Sequence, residues 1–157
     1  MLPNGMEAVF EKYDQALVEF ARSLVQTRSY SDQEGDLAHL VARKMEELGY
    51  DEIVIDRTGN VAGRIGSGPR CILFDSHMDT VEVNDEGEWS VPPFSGEIRD
   101  GRIWGRGTAD MKSSLAASVF AGAIAKELGL HSGRTIYVTG TVCEEYCDGV
   151  SLGLLFR

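Results

Sequence analysis

Two short strand patterns, each running straight into ionisable residues, constrain this chain more than any other feature. Residues 71–74 are wholly apolar (Cys-Ile-Leu-Phe), as expected of a strand buried on both faces. Residues 135–142 read as a second buried strand. Such strands need cover, and helical patterns elsewhere in the chain supply it. Over 6–26 the apolar residues Met6, Val9, Phe10, Tyr13, Leu17, Phe20, Leu24 and Val25 form one stripe at helical spacing. Ser31 and Glu34 have capping-box spacing. They precede a second amphipathic helix carrying Leu37, Leu40, Val41, Met45 and Leu48, with Gly49 as its stop.

The period then changes. Ile53 and Ile55 alternate with Val54 and Asp56, Thr58-Gly59-Asn60 makes a turn, and 61–65 is a partner strand. A long acidic loop covers 79–93, and 96–104 reads as a hairpin around Asp100-Gly101. Residues 111–128 are helical up to Gly129, and 150–157 resemble the first turns of a helix. Helices and short buried strands in this order predict an α/β fold: a three-layer sandwich with a mostly parallel central sheet. There is no internal repeat, low-complexity tract or interdomain linker.

The chain has 157 residues and a net charge of −10, from 15 Lys and Arg against 25 Asp and Glu. That balance argues against nucleic acid or an anionic membrane as partner, since phosphate is held by clustered cations. No apolar run reaches the roughly 18–20 residues of a membrane span. Residues 1–6 lack a basic region followed by an apolar stretch, so no signal peptide is expected. Three cysteines without a disulfide spacing pattern indicate reducing cytoplasm.

Three clusters carry candidate chemistry. In Asp75-Ser76-His77-Met78-Asp79 the His and second Asp are two apart, so on extended chain both point one way. Asp79 can then hold the second ring nitrogen of a metal-ligating His77. The same residues also read as a polar strand end. In Gly105-Arg106-Gly107-Thr108-Ala109-Asp110-Met111-Lys112, Asp110 can bridge two cations, or simply cap a helix. A dinucleotide loop would need glycine where Asp110 stands, and an acid there repels pyrophosphate. In Cys143-Glu144-Glu145-Tyr146-Cys147-Asp148-Gly149, adjacent carboxylates can divide metal binding and proton transfer between them, or form a solvated loop. The three cysteines are read as non-catalytic, and His39 and His131 stand alone. His77, Asp110 and Glu145 each follow a strand or crossover unit, and in a parallel sheet such positions converge on one edge. One imidazole among oxygen donors suits zinc, cobalt or manganese.

These clusters, with Thr80-Val81, Trp89 and Pro92-Pro93-Phe94-Ser95-Gly96 between them, resemble in order the co-catalytic zinc exopeptidases and deacylases. That family includes aminoacylase, carboxypeptidase G, acetylornithine deacetylase and succinyl-diaminopimelate desuccinylase. The branch of selenium-metabolism-linked hydrolases is the most similar. The resemblance implies that His77 ligates one metal and that Asp79 clamps its ring. It implies that Asp110 bridges two metals, often beside a cis peptide, and that Glu145 ligates the second. Glu144 would be the general base acting on a water between the metals. The reaction would be hydrolysis of a peptide or N-acyl amide on a small amino-acid-like substrate, with two divalent ions, zinc first and cobalt or manganese as alternatives.

The family has five metal-binding protein residues, and this chain carries three of them. A later carboxylate, a late His and the lid domain are not in it. The expectation is therefore that 1–157 is the N-terminal part of one zinc-hydrolase catalytic domain, truncated before the last strands. Homodimerisation is expected only of the full-length form. The alternative is an inactive fragment or remnant that acts, if at all, with the rest of the protein.

Overall fold

A computed structural model describes residues 5–155. Helix α1 (Met6–Gln26) coincides with the apolar stripe. Only its second half is deeply buried, at Phe20, Ala21, Leu24 and Val25, whereas Phe10 is exposed. Helix α2 (Gly35–Glu47) buries Leu37, Ala38, Val41 and Met45. The hairpin β1 (Glu52–Ile55) and β2 (Val61–Gly66) turns on Asp56, whose carboxylate accepts from the main-chain N–H groups of Thr58, Gly59 and Asn60. Strand β3 (Arg70–His77) leads through the acidic loop to the small hairpin β4 (Glu97–Arg99) and β5 (Arg102–Trp104). Asp100 and Gly101 both have positive φ, as expected for a two-residue turn. Helix α3 (Ser113–Glu127), strand β6 (Arg134–Thr141), and the short helices α4 (Glu144–Cys147) and α5 (Val150–Leu155) complete the described chain. The expectations for residues 1–4, and for 156 and 157, lie outside the described residues.

The α/β architecture is as expected, and the sheet is mixed. Its order is β1-β2-β6-β3, with β1/β2 and β2/β6 antiparallel and β3/β6 parallel. A mostly parallel sheet was expected, but the tight 56–60 turn permits β1 and β2 to pair only antiparallel. The α3 crossover makes β3 and β6 parallel. In that pair His77 lies opposite Thr141, so the chain leaves both strands at the same edge of the sheet.

One face of the sheet, with Val61, Ile65, Ile136 and Val138, packs with α1, α2 and α3 into a single core. On the other face Leu155 of α5 lines a cleft together with Val54, Ala62 and Tyr137. The expectation that 71–74 is buried on both faces is not met. Ile72, Leu73 and Phe74 are 40%, 42% and 42% exposed. Strand β3 is the outermost of the sheet, and among the described residues no strand pairs with its free side.

Tyr50 locks α3 to the sheet. Its hydroxyl donates to the Val119 carbonyl at 2.8 Å, and burial pushes its phenol above the usual range. The ring fits only because two glycines flank it. A Cβ at Gly63 would lie 2.5 Å from Tyr50 Cδ1, and one at Gly122 would lie 2.2 Å from the hydroxyl. Helix propensity alone would make Gly122→Ala stabilising by about 1 kcal/mol. The collision with Tyr50 reverses the sign, and we expect a loss of about 1–3 kcal/mol in urea unfolding. A rise in stability would show that α3 does not depend on this contact.

Candidate metal centre

Three chain segments meet at the sheet edge that β3 and β6 share. Met78 is fully buried and anchored by its N–H to the Thr141 carbonyl at 2.7 Å. That places His77 and Asp79 on one side, as two-residue spacing on extended chain requires. His77 Nδ1 lies 2.9 Å from the main-chain oxygen of Asp79 and 3.5 Å from its Oδ1. The shorter contact is to the main chain, so the carbonyl fixes the ring's orientation and the carboxylate adds charge beside it. His77 Nε2 points the other way, 3.0 Å from Asp110 Oδ1 and 3.9 Å from Glu144 Oε2. The Asp79 carboxylate, then Asp110, hold the imidazole proton against desolvation, raising the His77 pKa to about 9.

Asp79 is completely buried. Its Oδ2 accepts from Ser31 Oγ at 2.7 Å and from the Glu145 N–H at 3.1 Å, and its Oδ1 accepts from the Glu144 N–H at 3.0 Å. Burial alone would raise its pKa. The bonds from His77, Ser31 and the two N–H groups outweigh it and hold the carboxyl at about 2. Ser31 and Glu34 therefore do not form the expected capping box, and α2 has no side-chain cap bond. Glu34 is buried and accepts from the Cys143 N–H at 2.9 Å, while Ser31 serves Asp79. The 27–34 segment lies along 78–80, with Ser29 Oγ donating to the Met78 carbonyl and the Thr80 N–H to the Ser29 carbonyl. This tertiary pairing takes both residues away from the helix end.

Asp110 projects from a kinked turn, Thr108–Lys112, and does not cap α3, which begins at Ser113. The Asp110–Met111 peptide is cis. Gly107 needs its positive φ of 77° here, and a Cβ on it would lie 2.5 Å from Thr80 Cγ2. The Asp110 side chain is 77% exposed on the open side of the site. Lys112 is fully buried, and its Nζ donates to the carbonyls of Leu24 and Thr27 at 3.0 and 2.7 Å. It thus fastens the Asp110 turn to the negative end of the α1 dipole. Burial lowers its pKa to about 8.

The Glu144-Glu145 segment is not the solvated loop that was the alternative reading, but the first turn of α4. His77, Asp110 and Glu145 each present a ligand atom, all within 4.8 Å of one another. One nitrogen and carboxylate oxygens from a strand end, a kinked turn and a helix start at that separation fit a divalent cation. Without one, the carboxylates of Asp110, Glu144 and Glu145 crowd around a single imidazole. The cysteines take no part. All three thiols are free, and Cys143 Sγ donates to Asp32 Oδ1 at 3.1 Å. Burial, then the Asp32 bond, push that thiol up to about 12, away from thiolate ligation. His39 is exposed on α2, outside the centre. Sequence reasoning missed Ser31, Glu34 and Lys112 as supports. Only Lys112 carried a signal, its place at the end of the glycine-rich motif.

Two outcomes are expected. Asp79→Ala frees two N–H groups of α4 and one hydroxyl in a buried site, lowering stability by about 2–3 kcal/mol in denaturant unfolding. Lys112→Met removes both carbonyl bonds, with a similar loss of about 2–3 kcal/mol. Unfolded chain keeps the Lys112 proton up to about 10.5, whereas the folded protein releases it near 8. The unfolded state therefore binds more protons in that window, and stability rises with pH from 8 to 10.5. Paired unfolding curves should show this gain in the parent and not in Lys112→Met.

The family model for peptidase family M20/M25/M40 matches residues 73–154. The uncharacterized protein YgeY of Escherichia coli (strain K12) is 42% identical over 138 residues, covering 88% of this chain and 34% of that protein. Succinyl-diaminopimelate desuccinylase of Dechloromonas aromatica is 37% identical over 106 residues, covering 66% of this chain and 28% of that enzyme. The chain thus spans about a third of the length of the curated relatives it matches. Human carnosine dipeptidase 1 superposes with a TM-score of 0.80 at 21% identity, covering 98% of this chain and 37% of that one. At that identity the likeness is one of fold.

Proposed function

This chain belongs to peptidase family M20/M25/M40, a family of metal-dependent hydrolases, and we propose that it supplies the N-terminal part of a catalytic domain that hydrolyses an amide bond. The substrate is small and amino-acid-like, joined through a peptide or N-acyl bond. A desuccinylase among the relatives supports that class. The single observation that carries the reading is the meeting of His77, Asp110 and Glu145 within 4.8 Å, with Glu144 alongside.

His77, Asp110 and Glu145 would hold two divalent cations, Asp110 shared between them, with zinc the first choice and cobalt or manganese next. Bound there, the cations would supply Lewis acidity toward the scissile carbonyl and toward water. The chain's own residues do the rest. The Asp79 main-chain oxygen fixes His77 so that Nε2 faces the site. The Asp79 carboxylate orients the α4 turn through the Glu144 and Glu145 N–H groups. Glu144 takes the proton of the attacking water and returns it to the leaving nitrogen. A reducing, cytoplasmic setting is part of this reading, on the lack of a disulfide spacing pattern among the cysteines; among the described residues no helix is long and apolar enough to cross a membrane. The coverage of about a third of the relatives, with the open edge of β3, supports reading 1–157 as part of a larger catalytic domain. Dimerisation belongs to the full-length form.

Zinc titration by calorimetry, followed by thermal melting, tests the centre. Zinc should bind at micromolar concentration or tighter, and at a hundredfold excess over Kd should stabilise by about 2.7 kcal/mol. Asp110→Ala should abolish the effect. Glu144→Gln should retain zinc but support no turnover of dipeptides or N-acetyl amino acids, assayed in the full-length form. Absence of zinc binding at micromolar levels would overturn the metal-centre reading.

A further inference from the structure

The helix that carries Glu144 and Glu145 cannot hold its own orientation. Helix α4 is four residues long, and a helix that short is unstable by itself. No side chain caps it at the start. Three successive N–H groups there are satisfied from far along the chain instead. Those of Glu144 and Glu145 go to the two oxygens of Asp79. That of Cys143 goes to Glu34 Oε1 at 2.9 Å, 109 positions away. Glu34 is 3% exposed and stands at the start of α2, where its carbonyl accepts from the Ala38 N–H at 2.9 Å. Helix α2 is seated in the core through Leu37, Ala38, Val41 and Met45. Glu34 thus ties the entry of α4 to a core element that carries no proposed metal ligand.

We propose that Glu34 is a positioning residue for hydrolysis: its bond to the Cys143 N–H aims Glu144 at the attacking water and Glu145 at the cation. The inference rests on the hydrolase reading, because it gives Glu34 a part in that reaction. Two bonds to a single carboxylate leave α4 free to pivot about Asp79. A third bond from a separate anchor removes the pivot. The site needs that control. Glu144 Oε2 lies 3.9 Å from His77 Nε2, and Glu145 offers an oxygen within 4.8 Å of the other two ligand atoms. A tilt of α4 would move base and ligand together, and a misplacement of about 1 Å is enough to cost a large factor in rate. Asp79 also touches His77, so its loss disturbs both sides of the site. Among the described residues Glu34 hydrogen-bonds neither His77 nor Asp110, so its removal acts on α4 alone. A purely structural Glu34 would satisfy one buried N–H and add stability, with no effect on how the folded protein binds a cation.

The variants are Glu34→Ala, which removes the acceptor, Glu34→Asp, which withdraws it by one methylene, and Glu34→Gln, which keeps an oxygen at the same reach. Each is studied at a temperature where circular dichroism shows it folded. Metal-free amide exchange, read by NMR, should quicken by roughly tenfold at Glu144 and Glu145 in Glu34→Ala, relative to the amides of β6, the scale of one lost hydrogen bond. Zinc affinity of Glu34→Ala, by calorimetry, should fall by about 10–100-fold, as for other groups that orient metal ligands. Glu34→Asp should move both readouts in the same direction and carries the test if Glu34→Ala does not fold. Glu34→Gln should return both to within about threefold of the parent, because it still accepts the bond. In the full-length form Glu34→Ala should lower kcat by about tenfold or more and leave KM within about threefold, the mark of an interaction that matters to the transition state. Where the parent binds zinc, parent-like exchange or affinity in the folded Ala and Asp variants, or a loss that Glu34→Gln does not restore, refutes the Glu34 role alone. A parent that binds no zinc refutes the metal centre, and the exchange comparison still decides whether Glu34 holds α4.

Discussion

Everything at the site hangs on one buried carboxylate. Asp79 has no exposed surface, yet it is held ionised by four neighbours that come from different parts of the chain. Ser31 reaches it from the segment after α1, the two N–H groups come from α4, and His77 is the last residue of β3, two before it. A buried charge is tolerable only when it is fully bonded. Each of those segments is therefore constrained to stay where the bonds require it. The pair Glu144 and Glu145 is aimed by its main chain, which leaves both side chains free for chemistry.

The parallel pairing of β3 with β6 makes that convergence possible. Because His77 stands opposite Thr141, the segments leaving both strands begin at one edge and can share Asp79. The crossover that enforces the parallel direction contains the Asp110 turn, and Lys112 ties that turn back to α1. Each of the three segments carrying a proposed ligand is thus anchored to the core by something other than that side chain. His77 relies on the buried Met78, Asp110 on the buried Lys112, and Glu145 on Asp79. Such outer supports are what hold ligands in place for a cation.

Charge is sorted across the same few ångströms. Carboxylates crowd one side of the site around a single imidazole, and the Asp79 carboxylate, then Asp110, raise the pKa of that imidazole. The acidic excess of the chain as a whole is partly concentrated where dications and a proton carrier would need it.

Much of this was legible in residue order. The stripe of α1, the period change at Ile53, the Asp100-Gly101 turn and the stop at Gly129 all depend on neighbours within a few residues, and local patterns report such neighbours directly. The identities of His77, Asp79, Asp110, Glu144 and Glu145 stood out because strand ends in α/β folds collect functional groups. What the residue order misread was decided by partners far along the chain. Ser31 and Glu34 match a helix cap locally, but bonds to Asp79 and the Cys143 N–H draw them away. Residues 71–74 look doubly buried, yet β3 is the outermost strand of a mixed sheet. The sequence by itself determined most of the elements, the candidate ligand residues and the family. Only the tertiary structure decided which groups meet, because hydrogen bonds to a buried carboxylate and the register of a parallel pair join residues whose separation along the chain carries no local signal.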